Sequence, residues 1–458
     1  MVRCAPGRSR YSAMKSFFLQ IFSGSFMASQ DKPINLSDRF RANVKVSFMG
    51  NGFSQCVLFL GTFLLLFQAY EPVQFGIFGL FSAFAMIIAR ISTGRYEALI
   101  PIPGQDHQAT HFLCAAGLIC LGTAGVTALV LLFWIPPLLV GIGDWIMLLP
   151  LQVLICGLSF VAQQWLARRG RFGILATAEA ARACLTILMQ WGLAASFGLS
   201  ATGLILGLVG GWAVYAMVTL PLVAIDVARM MPGMGAVWTS VIEHRRNLLL
   251  VPAQGLNTLS TNMPIFILDA MFGAAVAGSY VMASRLLYGP LALIGEPLRA
   301  VFFPTASQQF ASLGQCRNLF KSVCRVSCLA SLLIFIPLWI GAPWIITELS
   351  HLLGQPSEKW AVAGSIVQIL APFYMLQLIN GPVSGMWITA GRQQLQFVWQ
   401  IGFFVCITLG MLAGSDLNFS FVGAMYGYGV AKSVAFTVNL WCCWRFACGR
   451  NVFARLGS

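Results

Sequence analysis

Apolar runs of about 20 residues recur along almost the whole chain, and no other feature limits its fold so tightly. Hydrocarbon leaves backbone polar groups unpaired unless they sit in helices or closed barrels. A barrel is written in short segments that alternate apolar and polar residues, whereas a stretch such as LLVPAQGLNTLSTNMPIFILDAMF does not alternate. Helices are therefore expected. Composition agrees, since 58% of residues are hydrophobic and 9% charged, against roughly 45–50% apolar and roughly 25% charged in soluble domains.

Hydropathy divides the chain into twelve predicted spans, at residues 43–68, 74–92, 111–135, 145–166, 174–197 and 202–225, then 250–270, 275–297, 324–347, 361–388, 395–413 and 419–443. Basic residues are retained on the cytoplasmic side of a membrane. With both termini inside, 24 of the 28 Lys and Arg residues fall at or beyond cytoplasmic span ends. The external loops carry Glu71, Asp144, Glu348, Glu358 and Asp416, with Lys359 as their one basic residue. The net charge of +14 is thus a topology signal. It does not form the basic stripe of a nucleic-acid-binding domain, and no nucleic-acid partner is expected.

Weak similarity between the halves at an interval of about 203 residues predicts parallel repeats. Gly52 then matches Gly255, QFGIFGLFSAF matches AGSYVMASRLL, and Pro101 matches Pro304. The expected architecture is all-α, with a cytoplasmic leader at 1–42, a six-helix lobe at 43–225, a linker at 226–249, a second six-helix lobe at 250–443 and a tail at 444–458. A pseudo-two-fold axis along the membrane normal would relate the lobes and leave a cleft between them, where transporter substrates bind. The leader reads as cytoplasmic and not as a signal peptide, with Met1, Met14 or Met27 as the start. The loops leave no room for a soluble catalytic domain.

Thirteen cysteines lie mostly within or at the ends of apolar segments and read as small packing residues. Cys324 and Cys328 have helical spacing that could hold a metal, but no His or carboxylate supports them, so no metal or cofactor is expected.

Ionisable residues inside a membrane cost about 2.5–3.5 kcal/mol on insertion scales and normally face a cavity or a partner. Arg285 and Lys432 lie near the middle of their spans, too deep to snorkel easily. Glu179 and Arg182 share a helix face and can pair. Asp269 sits at the outer end of its span, and Lys45, Arg90 and Arg95 at inner ends, where snorkelling is the default. A polar stripe of Ser47, Asn51 and Gln55 on the first span is echoed by Gln254, Asn257 or Thr258, and Thr261 on the seventh. Matching stripes on equivalent helices fit a shared hydrated cleft, although hydrogen bonding between helices would also use them.

Two segments carry a resemblance. In LLGQPSEKWAVAGSIVQILAPFYMLQLINGPVSGMWITAGRQQLQ, at 352–396, these are Gly354, Trp360, Ala363, Gly364, the run Ile369 to Pro372, Pro382, and the pair Arg392 and Gln393. In ARISTGRYEALIPIP, at 89–103, they are Arg95, Tyr96, Glu97 and Pro101 or Pro103. Together they resemble the oligosaccharide flippase family, although the Gly354 to Trp360 spacing is longer than usual. The resemblance implies the superfamily that also holds multidrug extruders and peptidoglycan lipid flippases, with two six-helix lobes alternating between inward-open and outward-open states. It also implies the bacterial cytoplasmic membrane, a lipid-linked oligosaccharide as substrate, a polysaccharide polymerase as a partner, and no enzymatic reaction.

Such a substrate must carry a pyrophosphate and several sugars through hydrocarbon. A hydrated cationic cleft would solve that problem, with Arg285 on the pyrophosphate, helped by Arg90, Arg95, Lys45 or Lys432, and with Asn51, Gln55 and Asn257 on sugar hydroxyls. Glu179 and Arg182 are further substrate candidates. The rival, a cation-coupled drug antiporter, would need membrane carboxylates, for which Glu179 and Asp269 are the candidates. A membrane polymerase or ligase would instead show a large external loop carrying Arg and His.

Overall fold

A computed structural model describes residues 50, 52–63, 69–103, 105–197, 201–230, 233–245, 248, 250–354, 356, 360–418 and 420–449. The expected leader, Lys45 and Asn51, and the last residues of the tail lie outside them. Among the described residues the secondary structure is helical, with no strand.

The N-terminal half contains α1 (Gly52–Gly61), α2 (Pro72–Ile91), α3 (Asp106–Phe133), α4 (Leu149–Arg168), α5 (Phe172–Phe197) and α6 (Ala201–Ala228). A short helix, α7 (Met234–Glu243), follows. The C-terminal half contains α8 (Leu250–Phe272), α9 (Ala274–Pro290), α10 (Glu296–Leu313), α11 (Arg317–Leu352), α12 (Ala361–Val383), a single turn α13 (Met386–Thr389), α14 (Gln393–Asn418) and α15 (Phe421–Ala447). In their described residues, all twelve predicted spans therefore overlap helix.

Local chemistry sets several of the ends. The Glu71 N–H donates to Gln74 Oε1 at 2.9 Å and Pro72 supplies a preset φ, which together start α2. Ser420 Oγ accepts from the Gly423 N–H at 3.3 Å to start α15. The eighth predicted span runs longer than hydropathy suggested, because a single π-helical turn at Leu291–Gly295 carries α9 directly into α10. Nine segments among the described residues are long and apolar enough to cross a bilayer. Helices α8 and α15 are long enough but more polar, and Lys432 and the Thr and Asn side chains of α8 are the reason.

Sequence neighbours pair as α5 with α6, α11 with α12, and α14 with α15, while α2 packs on both α8 and α9 and so joins the halves. The expected linker contains α7, whose Val237 is buried while Met234, Trp238 and Ile242 stay exposed. The Tyr96 hydroxyl donates to the Val241 carbonyl at 2.9 Å and holds this helix against the preceding turn. At the same, basic end of the bundle, Asp226 accepts from Trp165 Nε1 at 3.1 Å and pairs with Arg171 at 3.2 Å, and Asp106 pairs with Arg168 and Arg169 at 3.0 and 2.7 Å. These contacts tie α3, α4 and α6 together.

Candidate functional site

Helix α5 presents Arg182, Thr186 and Gln190 at successive turns, and α9 presents Val281, Ser284, Arg285 and Tyr288. Between them, walled also by α1, α2, α6, α8 and Tyr374 of α12, lies a cavity of about 460 Å³. Its wall draws on both halves of the chain. Leu58 and Thr261, Phe59 and Asn262, Thr62 and Ile265, Phe78 and Val281, and Ser82 and Arg285 all line it. Each pair is separated by the same interval, about 203 residues, as the weak internal repeat. Where the second half places Arg285, the first places the hydroxyl of Ser82.

Two guanidiniums supply the positive charge of the wall. The Arg285 group lies over Phe78 and Phe75, 5.0 and 5.5 Å from their ring centroids, and its Nη1 donates to Thr62 Oγ1 at 3.1 Å. No carboxylate among the described residues forms an ion pair with it. Arg182 stacks over Trp212 at 4.8 Å and is paired with Glu179, its Nε donating to Glu179 Oε2 at 3.1 Å. Hydroxyls and amides of Thr62, Ser82, Thr186, Gln190, Thr261, Asn262 and Ser284, with Tyr280, Tyr288 and Tyr374, complete the polar part of the wall. Among the described residues, no carboxylate side chain lines it.

Aromatic rings cluster near the acidic start of α2, on the far side of the Phe75 ring that meets Arg285. Phe75 meets Trp360 edge-on at 5.5 Å, and the Tyr70 hydroxyl donates to the Gln190 carbonyl at 2.5 Å. There α2 and α9 cross in backbone contact, because a Cβ on Gly278 would lie 1.7 Å from the Pro72 carbonyl oxygen. Toward the other end, the wall residue Tyr288 is exposed.

Of the residues singled out in the sequence, Arg285, Gln55 and Arg182 line the cavity. Asn257 is exposed and outside the wall, where Thr261 and Asn262 stand one turn further along α8. Glu179 reaches the site only through Arg182. Asp269, half-buried, lies beside Gly141 and not in the wall. Arg90 is stacked over Phe160 at 4.2 Å.

Arg95 belongs to a turn. It is the one non-glycine residue with positive φ among those described, at 63°, and its Nη1 bonds Glu97 Oε1 at 2.8 Å, while Thr93 Oγ1 donates to Glu97 Oε2 at 2.5 Å. The Arg-Tyr-Glu segment is thus a structural device that folds the chain between α2 and α3. In the other family segment, Trp360 meets Phe75 edge-on and Gly364 packs against Pro343. The Thr186 and Gln190 stripe went unread in the sequence, although its spacing of four from Arg182 was there to be seen.

Lys432 lies behind the wall. It is 4% exposed, with its ammonium 4.1 Å from the Tyr374 ring centroid, 5.1 Å from Tyr428 and 5.7 Å from Phe436. Burying an ammonium without a carboxylate costs several kcal/mol, and cation–π contact returns about 2 kcal/mol when desolvated. Lys432→Met, of similar shape and no charge, is therefore expected to raise the thermal midpoint of the purified protein by about 2 °C or more. A lowered midpoint in a thermal melt would show that the aromatic cage needs the charge.

A match to the sequence profile described as "Polysaccharide biosynthesis protein" runs over residues 71–361. The chain belongs to the polysaccharide biosynthesis protein family. Over 186 residues, 41% of this chain and 37% of the relative, it is 23% identical to the teichuronic acid biosynthesis protein TuaB of Bacillus subtilis (strain 168). Over 149 residues, 32% of this chain and 37% of the relative, it is 23% identical to the amylovoran biosynthesis protein AmsL of Erwinia amylovora. These matches span a little over a third of the length of each relative.

Among solved structures, this family member resembles the lipid II flippase MurJ in an inward closed conformation, with a TM-score of 0.65, 9% identity, and coverage of 89% of this chain and 90% of that one. It also resembles an inward-facing multidrug resistance transporter of the MATE family, with a TM-score of 0.61, 14% identity, and coverage of 94% and 98%. At such identities the likeness is one of fold. Family, fold and the nine apolar segments among the described residues make the chain a multi-pass membrane protein.

Proposed function

We propose that this member of the polysaccharide biosynthesis family is a flippase that moves polyprenyl-pyrophosphate-linked oligosaccharide across the bacterial cytoplasmic membrane. The observation that carries the reading is the cavity between the halves, whose wall, among the described residues, holds two guanidiniums and no carboxylate. A guanidinium matches a phosphate group in planar, charge-assisted hydrogen bonds. Arg285, without an acidic partner, is the first contact for the pyrophosphate. Arg182 is the second, and Lys432 adds positive potential from behind Tyr374. Gln55, Thr186, Gln190, Thr261 and Asn262 offer donors and acceptors to sugar hydroxyls.

Alternating access would follow from rocking of lobes 43–225 and 250–443 about the linker 226–249, with both termini cytoplasmic. In that orientation the Phe75–Trp360 contact lies toward the outside and Tyr288 toward the cytoplasm. A polysaccharide polymerase on the outer side would then consume the product. A cation-coupled antiporter would put its carboxylates in the cavity, whereas Glu179 and Asp269 both stand outside the wall. A polymerase or ligase would need reacting groups there, and the wall offers binding groups.

The reading is tested in a deletion strain. Lipid-linked oligosaccharide should accumulate facing the cytoplasm while the surface polymer disappears. Intact polymer without that accumulation would sink the proposal.

A further inference from the structure

Arg182 and Glu179 are neighbours on α5, and their pairing leaves the two wall arginines in different states. Among the described residues, Arg285 holds the Thr62 hydroxyl and aromatic faces and pairs with no carboxylate. Arg182 has one edge of its guanidinium on the carboxylate, with Nε on Oε2 and Nη2 on Oε1. That is the two-point geometry by which a guanidinium also takes a phosphate. The two acceptors cannot hold the same edge of Arg182 together. The guanidinium also stacks on the Trp212 ring and lines the cavity, and among the described residues Glu179 is the only carboxylate that pairs with it, so the exchange needs no other ion pair to break.

Resting on the proposed pyrophosphate site, we infer that Glu179 is an intramolecular competitor, a stand-in anion that occupies Arg182 until the substrate displaces it. Arg285 makes the first contact, and Arg182 gives its Nε–Nη2 edge to the head group only by leaving Glu179. The stacking on Trp212 keeps the guanidinium in place through the exchange. The pair therefore sets how tightly an anion is held: capture requires two arginines, and release is assisted by the return of Glu179. A merely structural pair has the opposite signature, because cutting it can only loosen α5.

The test uses the full chain in nanodiscs with farnesyl pyrophosphate as the probe, and compares dissociation constants by calorimetry. Glu179→Gln keeps the shape and removes the charge, and it is expected to bind about tenfold more tightly than the wild type. Placed on an Arg182→Gln background, the same change is expected to bring no gain, since there is nothing left to release. A thermal melt of each sample confirms folding, and Glu179→Asp, which keeps the charge, should bind like the wild type.

Equal or weaker binding by a folded Glu179→Gln protein overturns the competitor, as does a gain that persists without Arg182. If Arg285→Ala binds the probe as well as the wild type while Glu179→Gln still gains, the competitor stands and the assignment of Arg285 falls. If no variant binds the probe, both are overturned.

Discussion

Replacing Arg285 with alanine is expected to abolish polymer export and to weaken farnesyl pyrophosphate binding by about a hundredfold or more, while the protein still folds and inserts. The size follows from the setting. The guanidinium stands against two phenyl rings and a hydroxyl, with no carboxylate to satisfy it, so its charge is available to an anion in a wall of low dielectric. Truncating one partner of such a pair typically costs about 2–5 kcal/mol, and about 1.4 kcal/mol is a factor of ten.

The same setting separates a loss of function from a loss of fold. An unpaired buried cation does not stabilise its surroundings, so Arg285→Ala should keep the wild-type thermal midpoint. Arg285→Lys keeps charge but not the planar fork, and should fall between, about tenfold weaker than the wild type. Export is read in cells as surface polymer, normalised to the protein present in the membrane. Undiminished export in Arg285→Ala would remove this residue from the mechanism.

The fold was legible because the bilayer imposes a length on every apolar run, and hydropathy reads length well. What it could not read was the neighbour that each helix face meets. Lys432 and Arg285 look alike in the sequence, each a lone cation near the middle of a span. Helix α15 packs against α12 and α14, which turns Lys432 into a cage of rings, whereas α9 turns Arg285 into the shared cavity. Asn257 was one turn out for the same reason, since the polar stripe of α8 enters the wall at Thr261 and Asn262.

Arg95 was hidden differently. Its left-handed conformation follows Gly94 at φ 60°, and nothing in the local sequence announces two such residues in succession. The pairing of Glu179 with Arg182 was legible, because spacing on one helix decides it. That Arg182 also faces the cavity was not, because α1, α6 and α8 decide that. The internal repeat was faint in the sequence, yet the five equivalent pairs in the wall turn it into a statement about the site: the repeat built a two-sided cavity, and each half contributes one arginine to it, Arg182 and Arg285.

Gly278→Leu is expected to lock the cavity open at its acidic end. A Cβ at Gly278 would lie 1.7 Å from the Pro72 carbonyl oxygen and 2.6 Å from the Gly76 nitrogen, and one at Gly76 would lie 2.1 Å from the Ala274 carbonyl oxygen. Backbone cannot move aside as a side chain does, so α2 and α9 must part. Both helices remain helical, because leucine is a better helix former than glycine by close to 1 kcal/mol and Gly278 has no positive φ to protect. The cost, about 1–3 kcal/mol for overpacking, therefore falls on the closed arrangement, where Phe75 meets Trp360 and Tyr70 reaches Gln190. That shifts the balance between closed and open ends by about tenfold or more toward open. In a cysteine-depleted protein carrying Ser82→Cys, a membrane-impermeant thiol reagent added from outside should label the cavity at least about ten times faster once Gly278→Leu is present, and export should fail because the cycle no longer closes. Gly278→Ala should show the same change in smaller measure. Unchanged labelling with normal export would mean that these glycines serve only to pack two helices, and that the outer gate lies elsewhere.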